Sequence, residues 1–207
     1  KDVVSLARCT KGAHEFKQET DIMGQAFESI SEKHIAFLQA QPCFFVATAA
    51  ADGRVNISPK GFDSLRVLSP TRVIWLNITG SGNETAARIR ELPRMTLKFS
   101  AFPGPSMTLR LYGTGDCLQP GDVGWDDTLA CFPDLPAARQ IFDLAIDRVQ
   151  TSCGSSVPEM KVIRHRAELE LVPFFEKMSD EGLDAYQKKK NMVSIDGKPT
   201  GLAERLQ

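Results

Sequence analysis

The spacing of apolar residues predicts one helix followed by a strand hairpin in the first part of the chain. Between residues 22 and 38 the apolar positions fall on one face of a helix, which Ser31 can interrupt locally and Pro42 ends. The apolar run Cys43–Ala50 predicts a strand. Arg54–Lys60 predicts its hairpin partner, because the intervening residues Ala-Asp-Gly are typical of a tight turn.

Three further strands are predicted in the centre of the chain, at Arg72–Asn77, Met95–Phe99 and Met107–Cys117. A short helix running to Leu92 lies between the first two, and Pro93 ends it. We therefore expect a mainly β, α+β fold built as an antiparallel meander of five or six strands with one inserted helix. Short strands in this number favour a barrel over a doubly wound sheet.

In the C-terminal third, the spacing of apolar residues predicts secondary structure less clearly. Residues 139–152 fit a strand and a helix almost equally, and we favour the strand. Residues after Pro158 are predicted to be helical and anchored by Phe174, Phe175, Leu183 and Tyr186. Residues 1–20 are polar and predict an N-terminal arm, so that residues 21–207 would form a single domain with a helical C-terminal extension.

Composition and charge narrow the function. The chain has 207 residues, with 25 Lys and Arg against 26 Asp and Glu, so its overall field does not favour binding to nucleic acid or to a membrane surface. No apolar run approaches the roughly 20 residues of a membrane span. These features predict a cytoplasmic protein that acts on small molecules.

Cysteine and histidine give little support for a metal or a thiol centre. The five cysteines are odd in number and lack a C-x-x-C spacing, which predicts a reducing compartment, and the three histidines are scattered, so no metal site is expected. Cys153 and His165 are the candidate nucleophile and base. We favour a buried structural cysteine and a surface histidine instead.

Glycine spacing excludes the common nucleotide-binding motifs. Gly113 and Gly115 would need a third glycine where Leu118 stands, and Gly80 and Gly82 would need one at Thr85. The residues 80–85 instead precede the predicted central helix. We expect Ser81 and Glu84 to form a capping box there, which would leave donors from neighbouring residues free at the positive end of the helix dipole.

An anion site is predicted where this helix begins. The strand that contains Ser58 ends at Lys60, and the strand that precedes the helix ends at Asn77. If these strands are neighbours in a meander, their polar ends lie beside Asn83 and Thr85. The ammonium, amide and hydroxyl groups would then surround one phosphate group.

Three segments in this order resemble the pyridoxamine 5'-phosphate oxidase-like flavoproteins, which have the FMN-binding split-barrel fold. These are FFVATAAADGRVNISPKGFDSL, VIWLNITGSGNETAARI and SMTLRLYGTGD. The later QTSCGSSVP and KKKNMVSIDGKPTG look like the C-terminal signature of one subgroup, and the resemblance runs from Met23 to Gly201. It implies a homodimer that binds two FMN molecules at the subunit interface.

The resemblance also implies a set of cofactor-binding residues. Backbone of residues 55–60 would lie along the flavin ring. The helix start would bind the phosphate, although Glu84 and Thr85 stand where the oxidases have arginine and lysine, so positive charge would come from Lys60, Arg88 or Arg110. The complete set is Val55, Asn56, Ile57, Ser58, Lys60, Leu76, Asn77, Gly82, Asn83, Glu84, Thr85, Arg88 and Arg110.

The expected function is an FMN-dependent oxidoreductase that transfers hydride between a donor, such as a nicotinamide, and a small organic substrate. The oxidases' closing substrate-binding segment is absent, so pyridoxamine phosphate is not the expected substrate, and no catalytic residue is predicted. The alternatives are a flavin-binding protein that stores or senses the cofactor without turnover, a split barrel that uses a deazaflavin or haem, and a cofactor-free interaction module.

Overall fold

Eight strands build one antiparallel sheet in residues 24–202, the part of the chain that this computed structural model describes. Its eight strands are β1 Ala26–Phe27, β2 Cys43–Thr48, β3 Asn56–Gly61, β4 Leu65–Ser69, β5 Arg72–Ile78, β6 Arg94–Ser100, β7 Thr108–Leu118 and β8 Ala138–Ser152. The helices are α1 Glu32–Ala40, α2 Glu84–Glu91, α3 Trp125–Leu129, a π-helical turn Ala167–Leu171, α4 Val172–Glu176 and α5 Asp180–Lys190. The predicted N-terminal arm, residues 1–20, lies outside the described residues.

The sheet has the strand order β3-β2-β6-β7-β8-β5-β4, with β1 paired to β8, and it curls into a split barrel. The predicted split-barrel fold of the α+β class is confirmed. The prediction of a simple meander is wrong, because β2 pairs with β6 and β5 pairs with β8 across long stretches of sequence. β3 and β4 therefore stand at the two ends of the strand order, although they are consecutive in the chain.

Side chains from most strands meet in one apolar core. Trp75 stacks on Phe142 with 4.5 Å between the ring centroids. Each fully buried apolar side chain stabilises the fold by about 1.5–3 kcal/mol relative to exposure. The most buried members include Val46, Val73, Trp75, Leu97, Leu109, Leu111, Phe142, Leu144 and Val149.

The structure corrects one predicted element boundary and adds one strand. The first helix begins at Glu32, not near residue 22, because Ser31 is its N-cap: the hydroxyl of Ser31 accepts a hydrogen bond from the backbone N–H of His34, at 3.3 Å. The imidazole Nδ1 of His34 accepts in return from the N–H of Ser31, at 3.2 Å. The strand β4, Leu65–Ser69, was not predicted.

The C-terminal third contains the favoured strand and shorter helices than predicted. β8 confirms the strand interpretation of residues 139–152. Residues 159–165 are not helical, and they run exposed over the surface before the π-helical turn. Of the predicted anchors, Phe175 is buried and lies 6.0 Å from Tyr186 between ring centroids. No helix within residues 24–202 combines the length and the apolar character needed to cross a membrane.

Candidate functional site

A cavity of about 240 Å³ lies where β3, the end of β5, the start of α2 and the start of β8 meet. We call it the anion cavity. Of the thirteen residues predicted to bind the cofactor, eight line it, and it also contains one cation that the sequence did not indicate. Its lining is Asn56, Ser58, Lys60, Asn77, Ile78, Gly80, Ser81, Gly82, Asn83, Glu84, Thr85 and Arg139.

Strand β3 supplies alternate side chains to the anion cavity. Side chains of a strand point to opposite faces in turn, so Asn56, Ser58 and Lys60 share one face. Lys60 Nζ donates a hydrogen bond to Asn77 Oδ1 at 3.3 Å and stands 5.1 Å from the centroid of the Trp75 ring. Ser58 Oγ is buried and has no hydrogen-bond partner among the described residues.

The Lys60 ammonium is held in a poorly solvated position. Burial is the main cause that lowers its pKa from 10.5 to about 8, and the positive charge of Arg139 lowers it further. At neutral pH the side chain is therefore still charged, but without a carboxylate partner among the residues described. An anion in the cavity would stabilise this charge.

Arg139, at the start of β8, is the cavity residue that sequence reasoning missed. Only 3% of it is exposed. Its Nη2 donates to the backbone oxygen of Gly82 at 3.2 Å, whereas Nε and Nη1 have no partner within residues 24–202. Burial lowers its pKa to about 10. In the sequence, Arg139 is an arginine at the start of an apolar, alternating segment. Because that segment fitted a helix and a strand almost equally, the direction of the Arg139 side chain could not be predicted.

The start of α2 forms the opposite wall of the anion cavity. Asn83 is the N-cap residue, is 2% exposed and makes no side-chain capping bond, and its Oδ1 and Nδ2 have no partner among the described residues. The predicted capping box of Ser81 and Glu84 is wrong, because Glu84 Oε1 accepts instead from the N–H of Ile195 at 2.8 Å. Thr85 Oγ1 accepts from Asn56 Nδ2 at 3.2 Å.

The C-terminal segment fixes the loop that carries this helix start. Asn191 Nδ2 donates to Gly80 O at 2.9 Å, and Gln187 Nε2 donates to Thr79 Oγ1 at 2.8 Å. Asp196 Oδ2 accepts from Arg88 Nη2 at 3.0 Å on the helix itself. These contacts position the cavity wall without lining it.

The remaining predicted residues lie elsewhere. Arg88 is 1% exposed and donates through Nε to the backbone oxygen of Arg54 at 2.9 Å, so Asp196, Glu84 and that carbonyl already engage it. Arg110 Nη1 donates to Ser152 Oγ at 3.0 Å, away from the anion cavity. Leu76 is buried beside the cavity, whereas Val55 and Ile57 point outward and are 67% and 66% exposed.

The Cys153 prediction is also corrected, since this thiol is exposed and not buried. Its Sγ lies 2.9 Å from Ser155 Oγ, and that hydrogen bond is the main cause that lowers the Cys153 pKa. His165 lies in the exposed segment 159–166, and it does not hydrogen-bond the thiol. The pair does not form a nucleophile and base.

A second cavity of about 730 Å³ adjoins the first. We call it the large cavity. The two share Lys60, Asn77, Ile78 and Gly80, so a ligand whose anionic group lies in the anion cavity can extend into the large one. Together they fit a molecule that has a charged end and an apolar body.

Comparison with known proteins places the chain in a family. Residues 30–153 match the family model described as Pyridoxamine 5'-phosphate oxidase. The chain is also 34% identical over 190 residues to a pyridoxamine 5'-phosphate oxidase family protein, ustO, of Aspergillus flavus, covering 84% of this chain and 76% of that protein. The chain belongs to the pyridoxamine 5'-phosphate oxidase family. The resemblance seen in the sequence segments is thereby confirmed.

Solved structures of other proteins of this kind are more distant. A putative pyridoxamine 5'-phosphate oxidase of Lactobacillus delbrueckii is 22% identical with a TM-score of 0.49, over 59% of this chain and 94% of that one. A pyridoxamine 5'-phosphate oxidase-related, FMN-binding protein of Nostoc punctiforme is 14% identical with a TM-score of 0.42, over 60% of this chain and 85% of that one.

Proposed function

We propose that this member of the pyridoxamine 5'-phosphate oxidase family binds FMN, with the phosphate in the anion cavity, and acts as an oxidoreductase on a small organic substrate. One observation carries the proposal. A half-buried Lys60, a buried Arg139 and the unpartnered polar atoms of Ser58 and Asn83 converge on one cavity of about 240 Å³.

The energetics of burial explain why this arrangement calls for an anion. A buried charge without a counter-charge is costly, and a buried donor without an acceptor costs about 1–3 kcal/mol. The anion cavity contains two cations, one half-buried and one buried, that have no carboxylate partner among the described residues, and Glu84 is already engaged by Arg88 at 3.0 Å. A phosphate dianion would balance both charges and accept the free hydrogen bonds, and the start of an α-helix adds favourable dipole interactions.

The rest of FMN would extend from the anion cavity along β3. This strand is at one end of the sheet order and pairs only with β2 within the described part of the chain, so its outer backbone groups can bond a ligand. Pro59, which cannot donate to a ladder, suits an edge strand. When bound, the flavin ring would supply hydride-transfer chemistry, and the protein would bind and orient it.

The absorbance spectrum of the purified protein tests this proposal directly. We expect a yellow protein that releases FMN, identified by mass, on denaturation. Release of haem or a deazaflavin, or failure of the cofactor-free protein to bind added FMN, would contradict it. Reduction of the bound flavin by a nicotinamide and its reoxidation by a substrate would then separate an oxidoreductase from a protein that only stores or senses the cofactor.

We further propose that the protein is a homodimer with FMN at the interface. Support comes from β3 and the residue before it, where the apolar side chains of Ile57 and Val55 are 66% and 67% exposed beside a strand edge that is unpaired among the described residues. Exposed apolar side chains on a strand edge favour association. Light scattering of the FMN-loaded protein during chromatography measures the mass, and a stable flavin-loaded monomer would contradict the proposal.

A further inference from the structure

The large cavity has a mixed apolar and cationic wall. Its inner side is apolar, with Leu76 and Ile78 from β5, Pro59 from β3, and Phe102 from the loop after β6. Its outer side is the segment Met160–Arg166, which we call the basic segment. This segment is attached to the fold by a hydrogen bond from the N–H of Met160 to Phe102 O, at 2.9 Å.

The charges around the large cavity are all of one sign. Lys60 lies at its junction with the anion cavity, and Lys161, Arg164 and Arg166 of the basic segment line its outer side. No Asp or Glu is present among the cavity-lining residues in the described part of the chain. The whole chain carries 26 acidic and 25 basic residues, so this concentration of positive charge is local and does not follow from composition.

A buried hydroxyl without a partner also lines the large cavity. Ser64 is 6% exposed, and its Oγ has no hydrogen-bond partner among the described residues. The two residues before it, Phe62 and Asp63, have φ angles of 63° and 40°, in the left-handed region that residues other than glycine rarely adopt. Strained backbone of this kind concentrates at ligand sites, and here it places Ser64 at the cavity wall.

We propose that the large cavity binds a small organic anion, a carboxylate on an apolar body, and that the basic segment recognises its negative charge. The apolar wall from β3 and β5 would contact the body of this molecule, and the Ser64 hydroxyl would donate a hydrogen bond to it. The inference rests on the proposed function only in naming this molecule as the substrate that lies beside FMN. The anionic and partly apolar character of the molecule follows from the wall of the cavity itself.

Calorimetric titration with two carboxylates and a neutral analogue tests the inference. Benzoate and 1-naphthoate are the anionic probes, and benzyl alcohol is the neutral one. The test variant is Lys161→Gln/Arg164→Gln/Arg166→Gln. The matched control is Lys188→Gln/Lys189→Gln/Lys190→Gln, which removes the same charge from the exposed end of α5. All titrations are made with the FMN-loaded protein and repeated without FMN.

We expect only the basic-segment variant to lose affinity for the carboxylates. Exposed charge pairs contribute about 0.2–1 kcal/mol each, so the basic-segment variant should bind the carboxylates about tenfold more weakly than wild type. The control should bind them as wild type does, and added salt should weaken carboxylate binding to wild type. Benzyl alcohol should bind all three proteins equally, and FMN affinity should be the same in all three.

Three outcomes would overturn the inference: neither carboxylate binds wild type, the two charge variants bind them alike, or the basic-segment variant loses FMN affinity in equal proportion. This third outcome would mean that the basic segment binds the cofactor and not the substrate. Failure of the proposed function looks different. In that case wild type would not bind FMN, while the FMN-free protein would still bind carboxylates in the charge-dependent manner described.

Discussion

Lys60 Nζ and Asn77 Oδ1 are 3.3 Å apart, although their strands are far from each other in the sheet. β3 stands at one end of the strand order, and β5 is separated from it by β2, β6, β7 and β8. The contact exists because the sheet curls until its ends approach each other. This closure creates the anion cavity, which both residues line.

Removal of the Arg139 guanidinium should weaken FMN binding strongly. A hydrogen bond to a charged group contributes about 1.5–3 kcal/mol, so Arg139→Gln should lose about 10- to 150-fold in affinity, measured by fluorescence titration of FMN. Without FMN its melting temperature should equal or exceed that of wild type, because a buried, incompletely paired cation is costly. Arg148→Gln, an exposed position on the same strand, is the control. Equal losses in both variants would place the phosphate elsewhere.

Asn83→Ala should weaken FMN binding less than loss of a cation does. A neutral hydrogen bond contributes about 0.5–1.5 kcal/mol, so we expect a loss of about 2- to 12-fold in the same titration. Gln39→Ala, which removes an exposed side-chain amide on α1 away from the anion cavity, is the control. A loss for Asn83→Ala as large as that for Arg139→Gln would contradict the neutral role assigned to this amide.

FMN affinity should fall as the pH rises from 7 to 9. Lys60 has a pKa of about 8, below its ordinary 10.5, so it loses its charge in this range, while a phosphate with a second pKa near 6 remains dianionic. Lys60→Met should bind FMN more weakly than wild type at pH 7 and should show a flatter dependence. A wild-type affinity that does not change with pH would exclude Lys60 from the phosphate site.

The same pKa shift predicts a change in stability without ligand. Between pH 8 and 10 the unfolded chain keeps the Lys60 proton that the folded chain has released, so the free energy of unfolding should rise with pH relative to that of Lys60→Met. Urea unfolding of both FMN-free proteins at several pH values measures the difference. A difference that falls over this range would mean that burial does not dominate the Lys60 environment.

Asp196→Asn should lower both the melting temperature and the affinity for FMN. Asp196 forms ion pairs with Arg88 and Arg54, and Arg88 is 1% exposed, so the substitution leaves Glu84 as the remaining carboxylate of a buried guanidinium and loosens the start of α2. Asp184→Asn, an exposed position on α5, removes the same charge and is the control. Full FMN affinity in Asp196→Asn would show that the C-terminal segment stabilises the fold without positioning the cavity.

Ile57→Lys should shift the protein from dimer to monomer. Ile57 is 66% exposed on the edge strand β3, and a lysine there disfavours pairing of strand edges. Val123→Lys is the control, because Val123 is fully exposed in the loop after β7. Sedimentation at several protein concentrations measures the mass of each. A dimer of unchanged stability in Ile57→Lys would remove this edge from the proposed interface.

Local pattern accounts for the elements that could be predicted. The apolar run Cys43–Ala50 and the tight turn after it indicated the hairpin with β3, and the polar residues at the ends of β3 and β5 indicated an anion site. β4, Leu65–Ser69, was not predicted because its side chains do not alternate between buried and exposed. Four of its five residues are half-buried. The start of α1 was misplaced because Ser31 is an N-cap, which a helical pattern of apolar residues alone does not mark.

The sequence by itself determined most of the strands, the central helix and the polar residues that each contributes, because side-chain periodicity and turn chemistry are local. The tertiary structure decided which of these residues meet. The pairings of β2 with β6 and β5 with β8 join distant segments, and they bring the start of β8 beneath the start of α2. Arg139 therefore faces Gly82 across 57 residues of sequence, and a contact over that separation depends on how the sheet closes.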